Sequence, residues 1–155
     1  CKSTLSSYDC DLFLDALEIE IFRLTNYERE QNGLRPVKWD VEMAIIARDH
    51  SSDMMINNYF SHQNPRGEGS KARSIRYGYD SDCCYSENIA KMPWGNVVGM
   101  GYVQNEPTVI ADATVDGFMN SPGHREIMLM RNQMRLGVGC AFDGTHYYCT
   151  ENFYY

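Results

Sequence analysis

The chain has 155 residues, in which 14 lysines and arginines stand against 21 aspartates and glutamates, for a net charge of −7. The length fits one domain, and the acidic balance argues against non-specific nucleic-acid binding, which needs a basic surface. Hydrophobic residues make up 43%, an ordinary globular share, and no apolar run approaches the roughly 18 residues of a membrane helix. We therefore expect a single domain over residues 1–155 without a transmembrane segment.

Helical periodicity predicts two long helices in the first third of the chain. The first covers about residues 11–32 and leaves residues 1–10 as an N-terminal extension, and Gly33 ends it because glycine readily adopts the left-handed conformation after a helix. Asp40 is placed to cap a second helix over about residues 41–57. Two apolar stripes support the first helix: Leu12, Ala16 and Ile19, and Leu17, Ile21 and Leu24. One face of the second carries Met43, Ala47, His50 and Met54.

The second half alternates strands and helices. Alternation over residues 85–90 predicts a half-buried strand, and a glycine-rich loop follows over residues 92–105. Helices are expected over about residues 107–119 and 124–130. Segments 136–142 and 145–153 flank Asp143-Gly144 and predict a hairpin with a two-residue turn, which places Cys140 opposite Tyr147 and Cys149 opposite Val138. The order of elements indicates an α+β fold with a small antiparallel sheet.

Six cysteines indicate an oxidising, extracellular compartment, and their pairing is not fixed by the sequence. They are Cys1, Cys10, Cys83, Cys84, Cys140 and Cys149. In the predicted register a bridge between Cys140 and Cys149 needs a bulge or a shift. Adjacent cysteines rarely pair with each other, so Cys83 and Cys84 either reach the hairpin cysteines or stay free. A chain that begins at Cys1 leaves open a removed signal peptide and a lipid anchor on this residue.

Histidines are the first candidates for chemistry near neutral pH. His50 lies on the apolar helix face and is expected to be a core or boundary residue, and His146 is expected on the sheet surface. His62 lies in a turn-rich connection, His124 lies at a helix start, and Glu87 lies in the strand. Their spacing alone does not bring these three together. Metalloprotease, phosphate-loop and dinucleotide motifs are absent, and a pair of Ser121 with His124 lacks the Gly-x-Ser-x-Gly pattern.

A series of short motifs runs in one order over roughly residues 12–153. The first half contains Glu28-Arg29, Asn32-Gly33-Leu34, Trp39-Asp40, His50-Ser51, Tyr59-Phe60-Ser61-His62 and Arg73. The second contains Glu87-Asn88-Ile89-Ala90, Phe118-Met119-Asn120-Ser121-Pro122-Gly123-His124-Arg125 and Leu136-Gly137-Val138-Gly139. In this order the chain resembles the prokaryotic branch of the CAP superfamily, the cysteine-rich secretory, antigen 5 and pathogenesis-related proteins, also called SCP domains.

The resemblance implies an α-β-α sandwich with a central cleft. Carried over by position, the cleft histidines are His62 and His124 and the acid is Glu87, with Asn88 in support. Ser121 holds the position where animal and plant members have a second acid. Glu151 replaces a glutamine that is usual in the prokaryotic branch.

Two imidazoles and a carboxylate suit a divalent metal such as zinc with one open position. The same trio also suits a hydrogen-bonded cluster in which Glu87 accepts from both histidines. We expect that no cofactor is required, and zinc is the metal to consider.

Three functions remain open at this point. The first, which the resemblance favours, is a secreted or surface-attached module that binds a lipid, a small molecule or a protein. The second is a metal-assisted hydrolase of peptidase type using His62, Glu87 and His124, and the third is a purely structural domain. The apolar residues of loop 92–105, which include Trp94 and Met100, either cover the core or form an exposed rim for a lipid or protein partner.

Overall fold

The described residues form five helices and six strands. The computed structural model describes residues 7–99 and 101–155, with side chains from Cys10 onward. The helices are α1 Ser7–Gln31, α2 Val41–Ile56, α3 Ser70–Arg76, α4 Pro107–Asn120 and α5 Pro122–Met128. The strands are β1 Lys38–Trp39, β2 Tyr85–Pro93, β3 Gly95–Val97, β4 Gly101–Val103, β5 Arg135–Phe142 and β6 His146–Tyr154.

Four strands form the central sheet in the order β1-β5-β6-β2, and β3 and β4 form a separate hairpin. β6 runs antiparallel to both β2 and β5, whereas the two-residue β1 runs parallel to β5. Ser51 of α2 donates to the carbonyl of Gly139 at 2.8 Å, which places α2 on one face of the sheet. The core cluster on the other face joins Leu17 and Ile21 of α1 to Val138 and Phe153. The predicted α+β class and α-β-α sandwich are confirmed.

The sheet and α2 approach each other closely at two glycines. A methyl group on Gly137 would overlap the α2 backbone at Ala44, and one on Gly139 would overlap it at Arg48. Only glycine leaves room for the helix backbone at this distance. This contact holds α2, and with it His50, against the sheet.

Local signals placed the long helices well. Asp40 caps α2, accepting from the backbone N–H of Met43 at 3.1 Å, and Gly33 has φ +71° just past α1. The first apolar stripe of α1 is not a core stripe, since Leu12 is 51% and Ile19 61% exposed. The sequence did not predict β1, α3 or the β3–β4 hairpin.

The hairpin between β5 and β6 has a different register from the predicted one. Phe142 pairs with Tyr147, so four residues and not two separate the last paired positions of the two strands. The Asp143 carboxylate explains the longer turn, because it accepts from the backbone N–H groups of Thr145 and His146, both at 2.7 Å. The shift sets Cys140 directly opposite Cys149, with Cα atoms 4.2 Å apart, and these two residues form a disulfide.

The remaining cysteines differ in state. Cys10 is also disulfide-bonded, whereas Cys83 and Cys84 are free thiols. The idea that Cys83 or Cys84 ties the Glu87 strand to the hairpin is therefore wrong, because Cys140 and Cys149 already pair with each other. Cys1 lies outside the described residues, so a lipid anchor there stays a prediction.

The predicted loop over residues 92–105 is partly ordered as strands. β2 continues through Pro93, and β3 and β4 form the hairpin. Met92 and Val103 are buried, and Trp94 packs against the core, whereas Val98 and Tyr102 are exposed. Met100 lies outside the described residues. None of the helices in the described part of the chain has the length and apolar character needed to cross a bilayer.

Candidate functional site

Glu87 is a buried carboxylate on β2, a strand at the edge of the central sheet. Its Oε1 lies 2.8 Å from Nδ1 of His62, and its Oε2 accepts from Nη2 of Arg73. The ion pair with Arg73 is almost completely buried on both sides. Both oxygens of the carboxylate are therefore occupied by partners from the chain itself.

Arg73 on α3 joins three segments. Besides Glu87, its Nη1 donates to the carbonyl of His62 at 3.0 Å and to the carbonyl of Glu68 at 2.8 Å. One guanidinium thus fastens the connection between α2 and α3 to the edge strand. In the sequence, Arg73 was only one member of the motif series, and no role was predicted for it. Its place in the last turn of a short helix carries no signal of a buried ion pair.

His62 presents its ring to solvent while one nitrogen is held. Its side chain is 54% exposed. Because Oε1 of Glu87 is an acceptor, Nδ1 carries the hydrogen, and in the neutral ring Nε2 is then left with a lone pair. A carboxylate that orients an imidazole in this way fixes both its tautomer and its direction.

His50 is a second histidine beside Glu87, and the sequence did not place it there. It is buried on α2, as the apolar helix face predicted, and its Nε2–H donates to the carbonyl of Ser61 at 3.0 Å. The same nitrogen lies 4.0 Å from Oε1 of Glu87. Burial lowers the pKa of His50, so the ring is held neutral. Helical periodicity gave its burial but not its partners.

His124 approaches from the other side of β2. Its ring packs edge-on against Phe118 with centroids 5.2 Å apart, and its carbonyl accepts from Nδ2 of Asn88 at 3.3 Å. The pKa of His124 is lowered, mainly by burial and to a smaller extent by the charge of His62. The two imidazoles therefore lie within electrostatic reach of each other. Among the described residues, His62 hydrogen-bonds Glu87 and His124 does not, so the arrangement in which Glu87 accepts from both of these rings is not formed.

Ser121 lies at the junction of α4 and α5. Its backbone N–H donates to the carbonyl of Phe118 at 3.1 Å, and its side chain makes no capping hydrogen bond. No hydrogen bond joins its hydroxyl to His124 in the described part of the chain. The serine that replaces the family's second acid therefore does not form a nucleophile–base pair.

Glu151 is a buried carboxylate on β6, directly opposite Asn88 of β2. Oε1 accepts from Oγ1 of Thr25 at 2.6 Å, and Oε2 accepts from Nδ2 of Asn88 at 3.1 Å. Burial raises the pKa of Glu151 to about 7, against an ordinary value of 4.5. Asn88 thus links this acid to the backbone of His124.

A three-ligand zinc site does not fit these side chains as they are arranged. Structural and catalytic zinc sites use at least three protein ligands. Within residues 10–99 and 101–155, no three His, Cys, Asp or Glu side chains form a group that could hold a metal ion. Glu87 is engaged at both oxygens, which leaves only the two imidazoles.

The layered arrangement of helices on both faces of the sheet defines an α-β-α sandwich domain. The profile described as the cysteine-rich secretory protein family, CAP, matches residues 22–155, and the chain belongs to this family.

Three of the similar proteins come from Bacillus species. An uncharacterized membrane protein of Bacillus subtilis, YlbC, is 35% identical over 136 residues, which cover 88% of this chain and 34% of that protein. A second uncharacterized Bacillus subtilis protein, YkwD, is 33% identical over 132 residues, 85% of this chain and 45% of that protein. The solved structure of an extracellular SCP-domain protein from Bacillus anthracis superposes with a TM-score of 0.77 and 31% identity, covering 98% of this chain and 44% of that one. The chain spans less than half the length of each.

Proposed function

We propose that this CAP domain is an extracellular protein-binding module whose partner contacts His62 and His124. The disulfide between Cys140 and Cys149 and the extracellular SCP-domain relative support the location outside the cell. The bound partner is a protein or peptide, and a lipid or a small molecule is the alternative that the experiment below distinguishes.

The observation that carries this proposal is the burial of Glu87 beneath its two partners. A general base or a metal ligand must be able to reach the reacting group or the ion. The Glu87 side chain is only 3% exposed, and its two oxygens accept from His62 and Arg73. The carboxylate orients the imidazole of His62 and is not presented to a substrate, which favours recognition over catalysis.

The hydrolase alternative lacks a second requirement as well. Nucleophilic hydrolysis needs a hydroxyl or thiol within hydrogen-bond reach of a base. In the part of the chain that the structure describes, no serine hydroxyl hydrogen-bonds a histidine ring. The hydroxyl of Thr145 does so, but its partner is His146 in the hairpin turn and not a histidine beside Glu87. Metal-assisted hydrolysis would need the three-ligand group that these side chains do not form.

An exposed surface favours a protein partner over a lipid. The ring of His62 is largely open to solvent, and Phe60 on the same connection is 48% exposed. An aromatic side chain next to a polar, hydrogen-bonding one is typical of protein contact surfaces. A lipid would need a larger apolar rim, and most apolar residues of segment 92–103 pack on the core instead, among them Trp94 and Val103.

A displayed random-peptide library tests the proposal. Peptides are selected for binding to the intact chain. Those that also bind the double variant His62→Ala/His124→Ala are discarded, because they bind elsewhere on the surface. We expect enriched peptides whose affinity falls about ten-fold or more in either single variant, as for a residue central to an interface. Asp112→Ala, an exposed site on α4, is the matched control and leaves the affinity unchanged.

Two results contradict a protein-binding surface at these histidines. One is a selection that enriches no peptide. The other is a set of binders that both histidine variants bind as tightly as the unaltered chain. If liposomes or small molecules shift the resonances of His62 and His124 where peptides do not, the partner class is wrong while the site is right.

A further inference from the structure

A cavity with aromatic and charged walls lies at the start of α2. Its volume is about 520 Å³, which is within the range of small-molecule binding sites. The walls come from β1, the first turn of α2, the segment after α3, and the ends of β5 and β6. They include three aromatic side chains, Trp39, Tyr79 and Tyr154, and three charged ones, Asp40, Glu42 and Arg135. The described residues that line the cavity do not include His62 or His124.

Contacts with neighbouring rings hold the three aromatic side chains in place. Trp39 packs edge-on against Phe22, with ring centroids 5.2 Å apart. Tyr79 and Tyr154 pack against each other with centroids 5.8 Å apart, and Tyr85 contacts both of them. The three lining rings are half-buried, so each is covered by the protein on one part of its surface and open on another. The cavity therefore offers aromatic surface that is already in position.

Two of the charged side chains compensate each other. Nη1 of Arg135 lies 3.3 Å from Oδ2 of Asp40, and the hydroxyl of Tyr79 donates to Oδ1 of the same carboxylate at 2.6 Å. Burial by itself raises the pKa of Asp40, but the hydrogen bonds that the carboxylate accepts outweigh burial and keep the pKa below its ordinary value. Asp40 is therefore ionised, and the charge of Arg135 offsets its charge.

The third charge, on Glu42, is not compensated. Within the described part of the chain, its carboxylate takes part in no ion pair or hydrogen bond. Burial, then Asp40 and then the charge of Glu42 raise the pKa of Tyr79, so this carboxylate lies within electrostatic reach of the aromatic wall. The start of α2 adds a partial positive charge of about 0.5, which is smaller than the full charge of Glu42. The lining as a whole is therefore negative.

Aromatic rings and an uncompensated carboxylate favour an organic cation. The face of an aromatic ring attracts an ammonium group placed within about 6 Å of the ring centre. Alkyl groups on the nitrogen add apolar contact with the rings and with Val41, which also lines the cavity. An anion would be repelled by Glu42, and the charge of Arg135 that would attract it is already offset by Asp40. A metal ion needs several oxygen ligands, whereas Glu42 is the one lining carboxylate without a partner.

We propose that this cavity binds a small organic ammonium ion, held by the carboxylate of Glu42 and by the aromatic rings of the lining. The aromatic surface selects an alkylated ammonium over an inorganic cation, and the negative lining selects it over a neutral or anionic molecule of the same shape. The site is separate from the protein-binding surface at His62 and His124, and either proposal stands if the other fails.

The test is a titration of the intact chain, followed by the indole N–H resonances of its two tryptophans, Trp39 and Trp94. Trp39 lines the cavity, and the variant Trp94→Phe assigns its signal. Three probes of similar shape differ in charge: choline, its uncharged analogue with carbon in place of nitrogen, and the pivalate anion. Sodium chloride keeps the ionic strength equal. We expect a saturable shift of the Trp39 resonance with choline, and binding at least about five-fold weaker with the other two probes.

Charge variants test the role of the carboxylate. Glu42→Gln is expected to weaken choline binding about two- to five-fold, and the exposed position of Glu42 leaves the fold intact. Arg135→Gln removes the competing positive charge and is expected to strengthen binding. Glu126→Gln, an exposed change on α5, is the matched control and leaves the affinity unchanged.

A ring variant pair tests the aromatic wall. Tyr154→Leu is expected to weaken choline binding about two- to five-fold, whereas Tyr154→Phe keeps the ring and retains the affinity. Circular dichroism confirms that each variant is folded. The proposal is overturned by a choline response that does not saturate, by equal or tighter binding of the uncharged analogue or of pivalate, or by an affinity for choline that Glu42→Gln or Tyr154→Leu leaves unchanged.

Discussion

Nδ1 of His62 lies 2.8 Å from Oε1 of Glu87, and this hydrogen bond joins a surface connection to the buried edge of the sheet. The other oxygen of Glu87 is held by Arg73, which also binds the carbonyl of His62. One carboxylate and one guanidinium thus fix both the backbone and the ring of His62. The exposed imidazole is therefore held in one position and one orientation.

Removal of Arg73 is predicted to be severely destabilising. Arg73→Met leaves Glu87 buried without its charged partner, which costs about 3–5 kcal/mol of unfolding free energy in comparable pairs. Arg23→Ala is the control, since its pair with Glu20 is exposed and screened by solvent and is expected to contribute little to stability. Urea denaturation measures both. Equal losses of unfolding free energy in the two variants would show that the buried pair contributes no more than the exposed one. The double variant Arg73→Met/Glu87→Gln is expected to recover part of the loss, because it removes the buried charge of Glu87 as well.

Stability is predicted to fall as the pH rises through neutrality because of Glu151. Its pKa is raised from 4.5 to about 7 in the folded chain, so between these values the folded state binds the proton that the unfolded state has lost. This stabilisation is complete below pH about 4.5 and is lost as the pH passes 7. It amounts to about 3 kcal/mol, from 1.36 kcal/mol per pKa unit.

The matched variant isolates this contribution. Glu151→Gln keeps the size of the side chain without a charge, and its amide can donate to Oδ1 of Asn88, a buried atom with no partner among the described residues. The variant is therefore expected to be more stable than the natural chain at pH 8 and to lose the slope between pH 5 and 8. Glu126→Gln, an exposed change on α5, should keep the slope. A slope that survives in Glu151→Gln would assign the pH dependence to another group.

Two glycines give opposite predictions for the same change. Gly137→Ala forces a methyl group into the backbone of α2 and is expected to cost at least about 3 kcal/mol. Gly117 lies within α4 with open space around it, so Gly117→Ala is expected to stabilise by about 0.5–1 kcal/mol through helix propensity. Thermal unfolding separates the two. If Gly137→Ala folds with unchanged stability, the close approach of α2 and β5 is wrong.

Local chemistry explains what the sequence predicted and what it did not. Asp40 and Gly33 mark helix ends because their signals act within a few residues. The hairpin register failed because the carboxylate of Asp143 organises a four-residue turn that competes with the two-residue Asp-Gly turn. β1 was not predicted because a strand of two residues is too short to show an alternating hydrophobic pattern.

The candidate site depends more on tertiary contacts. Only the family resemblance predicted that His62 and Glu87 lie together. Their hydrogen bond joins residues 25 positions apart, which local patterns do not predict. Arg73 and His50 complete the surroundings of Glu87, yet each sits on a helix whose own pattern names no partner across the fold. Periodicity reports which face is buried and does not report what that face meets.

Zinc is predicted to be held weakly at most. Two imidazoles remain when Glu87 is engaged, and stable zinc sites use three or four ligands. After dialysis against zinc and gel filtration, metal analysis should find well under one equivalent, with no difference between the natural chain and His146→Ala. One full equivalent that disappears in both His62→Ala and His124→Ala would instead restore the metal site, with Glu87 displaced from Arg73.

The most direct measurement is mass spectrometry of a proteome-derived peptide library incubated with the natural chain and with Glu87→Gln. The account predicts that the natural chain leaves the peptides uncleaved. No fragments are expected beyond those formed with Glu87→Gln. Far-UV circular dichroism confirms that the variant is folded. Fragments that the natural chain produces and Glu87→Gln does not would make Glu87 a catalytic residue and would contradict a binding module.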